Sequence, residues 1–137
     1  MVEVVEGLQA VTVHVRDLEK ARRFYTEVLG LHELGTPGAA PRAAFALPGT
    51  STQLTMHVQA EGEGGREPGT VSGIVFAHQD PAAAIEEIRR RGGRIVDEVA
   101  TLQRPFGTVT LGVFADPDGN EFIVRRLHPP PSGVPRP

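Results

Sequence analysis

The stretch VRDLEKARRFYTEVLGL, residues 15–31, decides how the whole chain is read. Asp17 is placed to cap a helix, and Leu18, Ala21, Phe24, Tyr25, Val28 and Leu29 fall on one helical stripe. Gly30 sits where a left-handed residue would stop that helix. Just upstream, AVTVHV (10–15) alternates, with Val11, Val13 and Val15 on one side and Ala10, Thr12 and His14 on the other. A period of two is the mark of a half-buried strand. Downstream the spacing predicts a short strand over 31–34 and a Gly/Pro-rich loop over 35–41. An antiparallel hairpin follows, 43–47 with 52–58, closed by PGTS at 48–51.

The same order then starts again. Residues 71–78 read as a strand, and Asp80 caps a second helix with Pro81 at its first position. Ala84, Ile85 and Ile88 form its apolar stripe, and Gly92-Gly93 ends it. Strands are expected over 94–99, 108–114 and 121–126, with turns at 103–107 and at DPDGN, 116–120. Asp17 and Asp80, Ala21 and Ala84, and Gly30 and Gly93 share one offset of 63 residues. A duplicated βαβββ unit follows: an α+β protein whose two tandem modules form a curled mixed β-sheet around a concave ligand cavity, helices outside. The expected organisation is a single domain over 1–128, with module one at 8–59, a polar linker at 60–70 and module two at 71–127. A Pro-rich tail occupies 129–137.

Composition narrows the function. A chain of 137 residues is one domain's worth. Fourteen basic against seventeen acidic residues give a formal charge of −3, which argues against nucleic acid and against a polybasic membrane patch. With no cysteine, disulfides, thiolate metal sites and a cysteine nucleophile are excluded. Apolar runs fall well short of the roughly 18 residues a membrane span needs. The opening MVEVVEGLQ carries acidic residues where a signal peptide would carry basic ones, so a cytoplasmic location is expected. No phosphate-binding glycine loop and no GxSxG elbow occurs. The carboxylates of DPD at 116–118 are expected to bond the backbone of their turn.

VRDLEKARRFYTEVLGL (15–31) and FADPDGNEFIV (114–124) resemble the two signature stretches of the vicinal oxygen chelate superfamily. That group includes glyoxalase I, methylmalonyl-CoA epimerase, extradiol dioxygenases and the fosfomycin- and bleomycin-resistance proteins. The resemblance covers about residues 8–127 and implies the same duplicated fold. It also implies four metal-ligand places, which fall here on Ala10, Thr55, Gly73 and Ile123. None is a His, Glu or Gln, so no metal and no other cofactor is expected. As in relatives that close the cup by pairing modules across two chains, a homodimer is expected, with an isologous interface.

Strand parity sorts the rest. Val11, Val13, Leu54, Met56, Ile74, Phe76, Phe122 and Val124 should face the helices. Thr12, His14, Gln53, Thr55, His57, Ile123 and Arg125 should face the cup, with Ala10, Gly73, Val75 and Ala77. If the first and last strands of module one pair in parallel, as the resemblance implies, His57 lies near Thr12 and His14. Such a pair is expected to bind a ligand, titrate near neutrality or hold a stray metal, or else to lie at a rim satisfied by water. Arg125 would grip a carboxylate or phosphate, or pair with Glu121 or with a partner chain. Phe106 stands where many relatives have a pocket-lining aromatic, to stack on a flat ligand or to plug the core edge. His32, His78 and His128 are expected to be inert. The expected binding residues are therefore Thr12, His14, Gln53, Thr55, His57, Phe106 and Arg125, and the expected partner is a small organic molecule. The expected function is metal-independent binding or sequestration of it. A lyase, isomerase or dioxygenase working through His14 and His57 competes with that reading, as does a non-catalytic partner domain.

Overall fold

The structure, a computed structural model, describes residues 4–35, 42–58, 69 and 71–129. The expected linker (apart from Gly69) and nearly all of the Pro-rich tail lie outside the described residues. The elements run β1 (Ala10–Val15), α1 (Leu18–Arg23), β2 (His32–Leu34), β3 (Arg42–Ala46), β4 (Gln53–Val58), β5 (Val71–Ala77), α2 (Pro81–Arg90), β6 (Arg94–Arg104), β7 (Gly107–Ala115) and β8 (Glu121–His128). They form two four-stranded mixed sheets, ordered β1-β4-β3-β2 and β5-β8-β7-β6. The first pair of each sheet is parallel and the others antiparallel. The duplicated α+β pattern read from the repeat is therefore present. The chain divides into two compact units, Met1–Thr70 with Asp116–Asn120, and Val71–Ala115 with Glu121–Pro137.

In the first unit the caps act as their residue types require. The Asp17 carboxylate accepts from the Lys20 backbone N–H at 3.2 Å. The helix, however, widens after Arg23 into a π turn over Phe24–Val28, in which the Leu29 N–H reaches back to the Phe24 carbonyl. A π turn absorbs one extra residue. Thirteen positions separate Asp17 from Gly30, while twelve separate Asp80 from Gly92, the left-handed residue that ends α2. The expected pairing of Gly30 with Gly93 is thus one residue off, and the π turn is the reason. Ala21, Phe24 and Tyr25 from this segment join Val13, Val15, Phe45, Leu54 and Met56 in the core.

The second unit's core is a stack of rings. Phe76, Phe114 and Phe122 lie nearly parallel, with centroids 5.5 to 6.3 Å apart, and Ile85 and Ile88 of α2 are buried beside the sheet. The helix comes so close to β7 that a Cβ on Gly112 would stand 2.7 Å from Ile85 Cγ1. Only glycine leaves room there. The hairpin also departs from expectation. β6 runs to Arg104 rather than ending near residue 99, and the turn contracts to Pro105-Phe106. Two register irregularities, between Ile95 and Asp97 and between Asp97 and Ala100, break the alternation by which the strand would have been recognised.

Candidate functional site

Parallel pairing of β1 with β4 sets Thr12 opposite Thr55 and His14 opposite His57. The two hydroxyls share a hydrogen bond of 2.7 Å, and Thr55 also donates to the Val11 carbonyl at 3.3 Å. The two imidazoles meet edge to face, with centroids 5.8 Å apart and planes at 89°. Gln53 lies on the same face, opposite Ala10, and Ala44 and Ala46 continue it on β3. Val13, Leu54 and Met56, the alternate residues, are buried on the other side. Five of the expected residues, Thr12, His14, Gln53, Thr55 and His57, are therefore brought together on one sheet face. His14 Nδ1 is buried and has no hydrogen-bond partner among the described residues. A buried imidazole nitrogen without a partner is an unmet hydrogen-bonding demand on this face.

This face is held from the edge by a turn whose role the sequence did not reveal. Asp116 is 3% exposed, and its carboxylate accepts from the Tyr25 hydroxyl at 2.7 Å and from the Asn120 side chain and the Asp118 and Asn120 backbone N–H groups at 2.9 Å. The Asn120 amide also donates to the His14 carbonyl at 2.9 Å, and the Arg16 N–H donates to Asp118 at 3.1 Å. The DPDGN turn does bond its own backbone, as expected. In addition it caps the outer edge of β1 beside His14, in place of a neighbouring strand. Burial, then the charge of Asp116, pushes the Tyr25 hydroxyl well above its usual pKa. Burial also lifts the Asp118 carboxyl, against the pull of the Arg16 backbone.

Arg125 belongs to the second unit, opposite Ala77 on β5, and among the described residues it makes no ion pair with Glu121 or any other group. It borders an open hollow of about 950 Å³ at the C-terminal ends of β5 and β8, with Val75, Ala77, Asp80 and Leu127. His78 lines the same hollow and accepts a hydrogen bond from the Asp80 N–H at 2.8 Å. Alternation with Ile74 and Phe76 would turn His78 toward the helices, but β5 ends at Ala77 and the alternation ends with it. Phe106 is not among the residues of this hollow. It sits in the β6–β7 turn, 62% exposed.

The four places where relatives hold a metal do not fit one. Ala10, Gly73 and Ile123 offer no side-chain donor, and the Thr55 hydroxyl is already engaged. Gly73 has φ +76 at a bulge in β5, a conformation that a ligating L-residue would adopt only under strain.

The profile of the Glyoxalase/Bleomycin resistance protein/Dioxygenase superfamily matches residues 7–124. A lactoylglutathione lyase of Escherichia coli O157:H7 is 32% identical over 114 residues, covering 78% of this chain and 82% of that protein. Among solved structures, a member of this superfamily from Sphaerobacter thermophilus DSM 20745 superposes with a TM-score of 0.75 at 28% identity, covering 90% of this chain and 98% of that one. TnmS3, an antibiotic binding protein from Streptomyces sp. CB03234, gives 0.71 at 27% identity, covering 91% and 98%. The chain belongs to the Glyoxalase/Bleomycin resistance protein/Dioxygenase superfamily. Among the described residues no helix is long and apolar enough to cross a membrane.

Proposed function

We propose that this chain is a metal-independent binding member of the superfamily, cytoplasmic and homodimeric, which holds a small organic ligand in a cup closed across two chains. The observation that carries the reading is the polar face of paired Thr12–Thr55 and His14–His57, in register on β1 and β4, where Ala10 has no side-chain donor and the Thr55 hydroxyl is engaged. Hydroxyls and imidazoles there bond a ligand's polar groups, while the alanines of β3 leave room for a flat body. Arg125, which makes no ion pair among the described residues, supplies the anchor for an acidic group. The likeness to an antibiotic binding protein supports the same reading.

The test joins metal analysis of protein purified without chelator to a thermal-shift screen of small aromatics bearing an acidic group. A ligand at a hundred times its Kd should stabilise the fold by about 2.7 kcal/mol. His14→Ala and Arg125→Lys should each reduce that shift. A monomeric mass by light scattering would refute the dimer.

A second reading has its own support, the identity to a lactoylglutathione lyase together with the His14–His57 pair. In that reading the chain is a lyase, isomerase or dioxygenase with a site built on the two imidazoles. Stoichiometric zinc, nickel, iron or manganese lost on mutating His14 or His57 would establish it over the first.

A further inference from the structure

The long β6–β7–β8 end carries a second, separate arrangement of polar side chains. A ten-residue α2 spans about 15 Å, while an eleven-residue β6 spans roughly 36 Å, so the strands run on past the helix that covers Gly112. On the face that the helix leaves open, the register sets two complete rows across three strands. Thr101, Thr110 and Arg126 form one, and Gln103, Thr108 and His128 the other. Thr101 and Thr110 share a hydrogen bond of 3.1 Å, and Thr108 donates to Gln103 Oε1 at 3.1 Å. The reverse face carries Leu102, Val109 and Leu127, then Ala100, Leu111 and Arg125.

None of the six side chains is acidic, and a hollow of about 310 Å³ opens between Thr108, Thr110, Arg126 and His128. Elsewhere in the chain carboxylates within reach capture guanidinium groups, as Glu33 does Arg22 and Asp118 does Arg16. Arg126 makes no ion pair or hydrogen bond among the described residues. Rows on the order of 7 Å apart on strands about 4.8 Å apart place the guanidinium fork, the imidazole and a hydroxyl around one small volume. A guanidinium fork flanked by an imidazole and hydroxyls, with no carboxylate in either row, suits an oxyanion with several acceptor oxygens and more than one negative charge, as a phosphoryl group has.

We infer that this face binds the phosphoryl group of a phosphate monoester. Its two rows lie on the face of the sheet opposite Arg125, although Arg126 also borders the hollow at the ends of β5 and β8 beside Arg125.

Amide NMR titration of the full chain with phenyl phosphate, and separately with inorganic phosphate, tests the inference. The amides of the six residues should move together and saturate. Arg126→Gln should raise Kd about tenfold or more, and Arg126→Lys by less, because the charge stays and the fork is lost. Thr110→Val, a milder change in the same row, should weaken binding by about threefold. Arg104→Gln, a cation on the reverse parity of β6, should leave Kd unchanged. Shifts scattered over other arginines, failure to saturate (an adventitious ion only), or equal losses from Arg126→Gln and Arg104→Gln would each overturn it.

Discussion

The two sheets share one strand order and differ in almost everything their chemistry does. The first unit closes its core on a polar hub, Tyr25 bonded to the buried carboxylate of Asp116. The second closes on three stacked phenylalanines. On the side away from the core, the first sheet shows threonines, histidines and alanines. The second shows Val71 and Val75, both well exposed, with Arg125. A duplicated module therefore keeps the alternation that buries its inner residues, because a one-residue slip would turn the core outward. The open face is under no such constraint, and there the two copies have become different surfaces.

The largest effect should come from the cores. Phe45→Ala and Phe122→Ala each remove a fully buried ring and should each cost about 3–5 kcal/mol in denaturant unfolding. Comparable losses would mean that polar-hub and stacked-ring cores carry similar weight. A loss under about 2 kcal/mol at either position would break the comparison for that unit.

Next comes the hub itself. Tyr25→Phe leaves a buried carboxylate short of one donor and should cost about 1–3 kcal/mol. Because the folded state holds the Tyr25 hydroxyl above its unfolded pKa, its contribution is complete below about pH 10. It is lost as the pH rises through the folded value. The chain has one tyrosine and no tryptophan, so near-ultraviolet absorbance reads this ionisation alone. Titration at the usual tyrosine pH in the native protein would contradict the burial.

Ligand binding should sharpen the contrast between the open faces. Phe106→Ala should weaken a flat ligand by about 1 kcal/mol if the exposed turn aromatic stacks on it. An unchanged Kd would remove Phe106 from the site and leave the face of His14 and His57 intact.

The smallest effect belongs to α2. Hydrogen bonds from Arg90 and Arg91 pull the Glu87 carboxyl down to about 2, so its pairing favours the fold above its unfolded pKa and fades as the pH falls through about 2. The pair is exposed, and Glu87→Gln should not move the thermal midpoint measurably at neutral pH.

Much of this was legible beforehand. The alternation of AVTVHV and the Asp17 and Asp80 caps rest on interactions within a few residues, and β1, α2 and the first hairpin stand close to where they were expected. The face of Thr12, His14, Thr55 and His57 followed from period two together with the parallel pairing that the family resemblance implied. What escaped were features that break a period. The π turn adds a residue to a helix, Gly73 bulges β5, and the irregularities of β6 hide a strand almost twice its expected length. The two polar rows beyond α2 were invisible for that last reason, since their register depends on where the irregularities end.

By itself, then, the sequence determined the repeat, the caps and the inner and outer parity of most strands. All of these are local chemistry or simple periodicity. Only the tertiary structure decided that Asp116 would meet Tyr25 across 91 positions and that Asn120 would bond the His14 carbonyl across 106. Such contacts leave no periodic trace. They arise because an edge strand and a buried hydroxyl both need hydrogen-bond partners, and folding brings a turn from the far end of the chain to supply them.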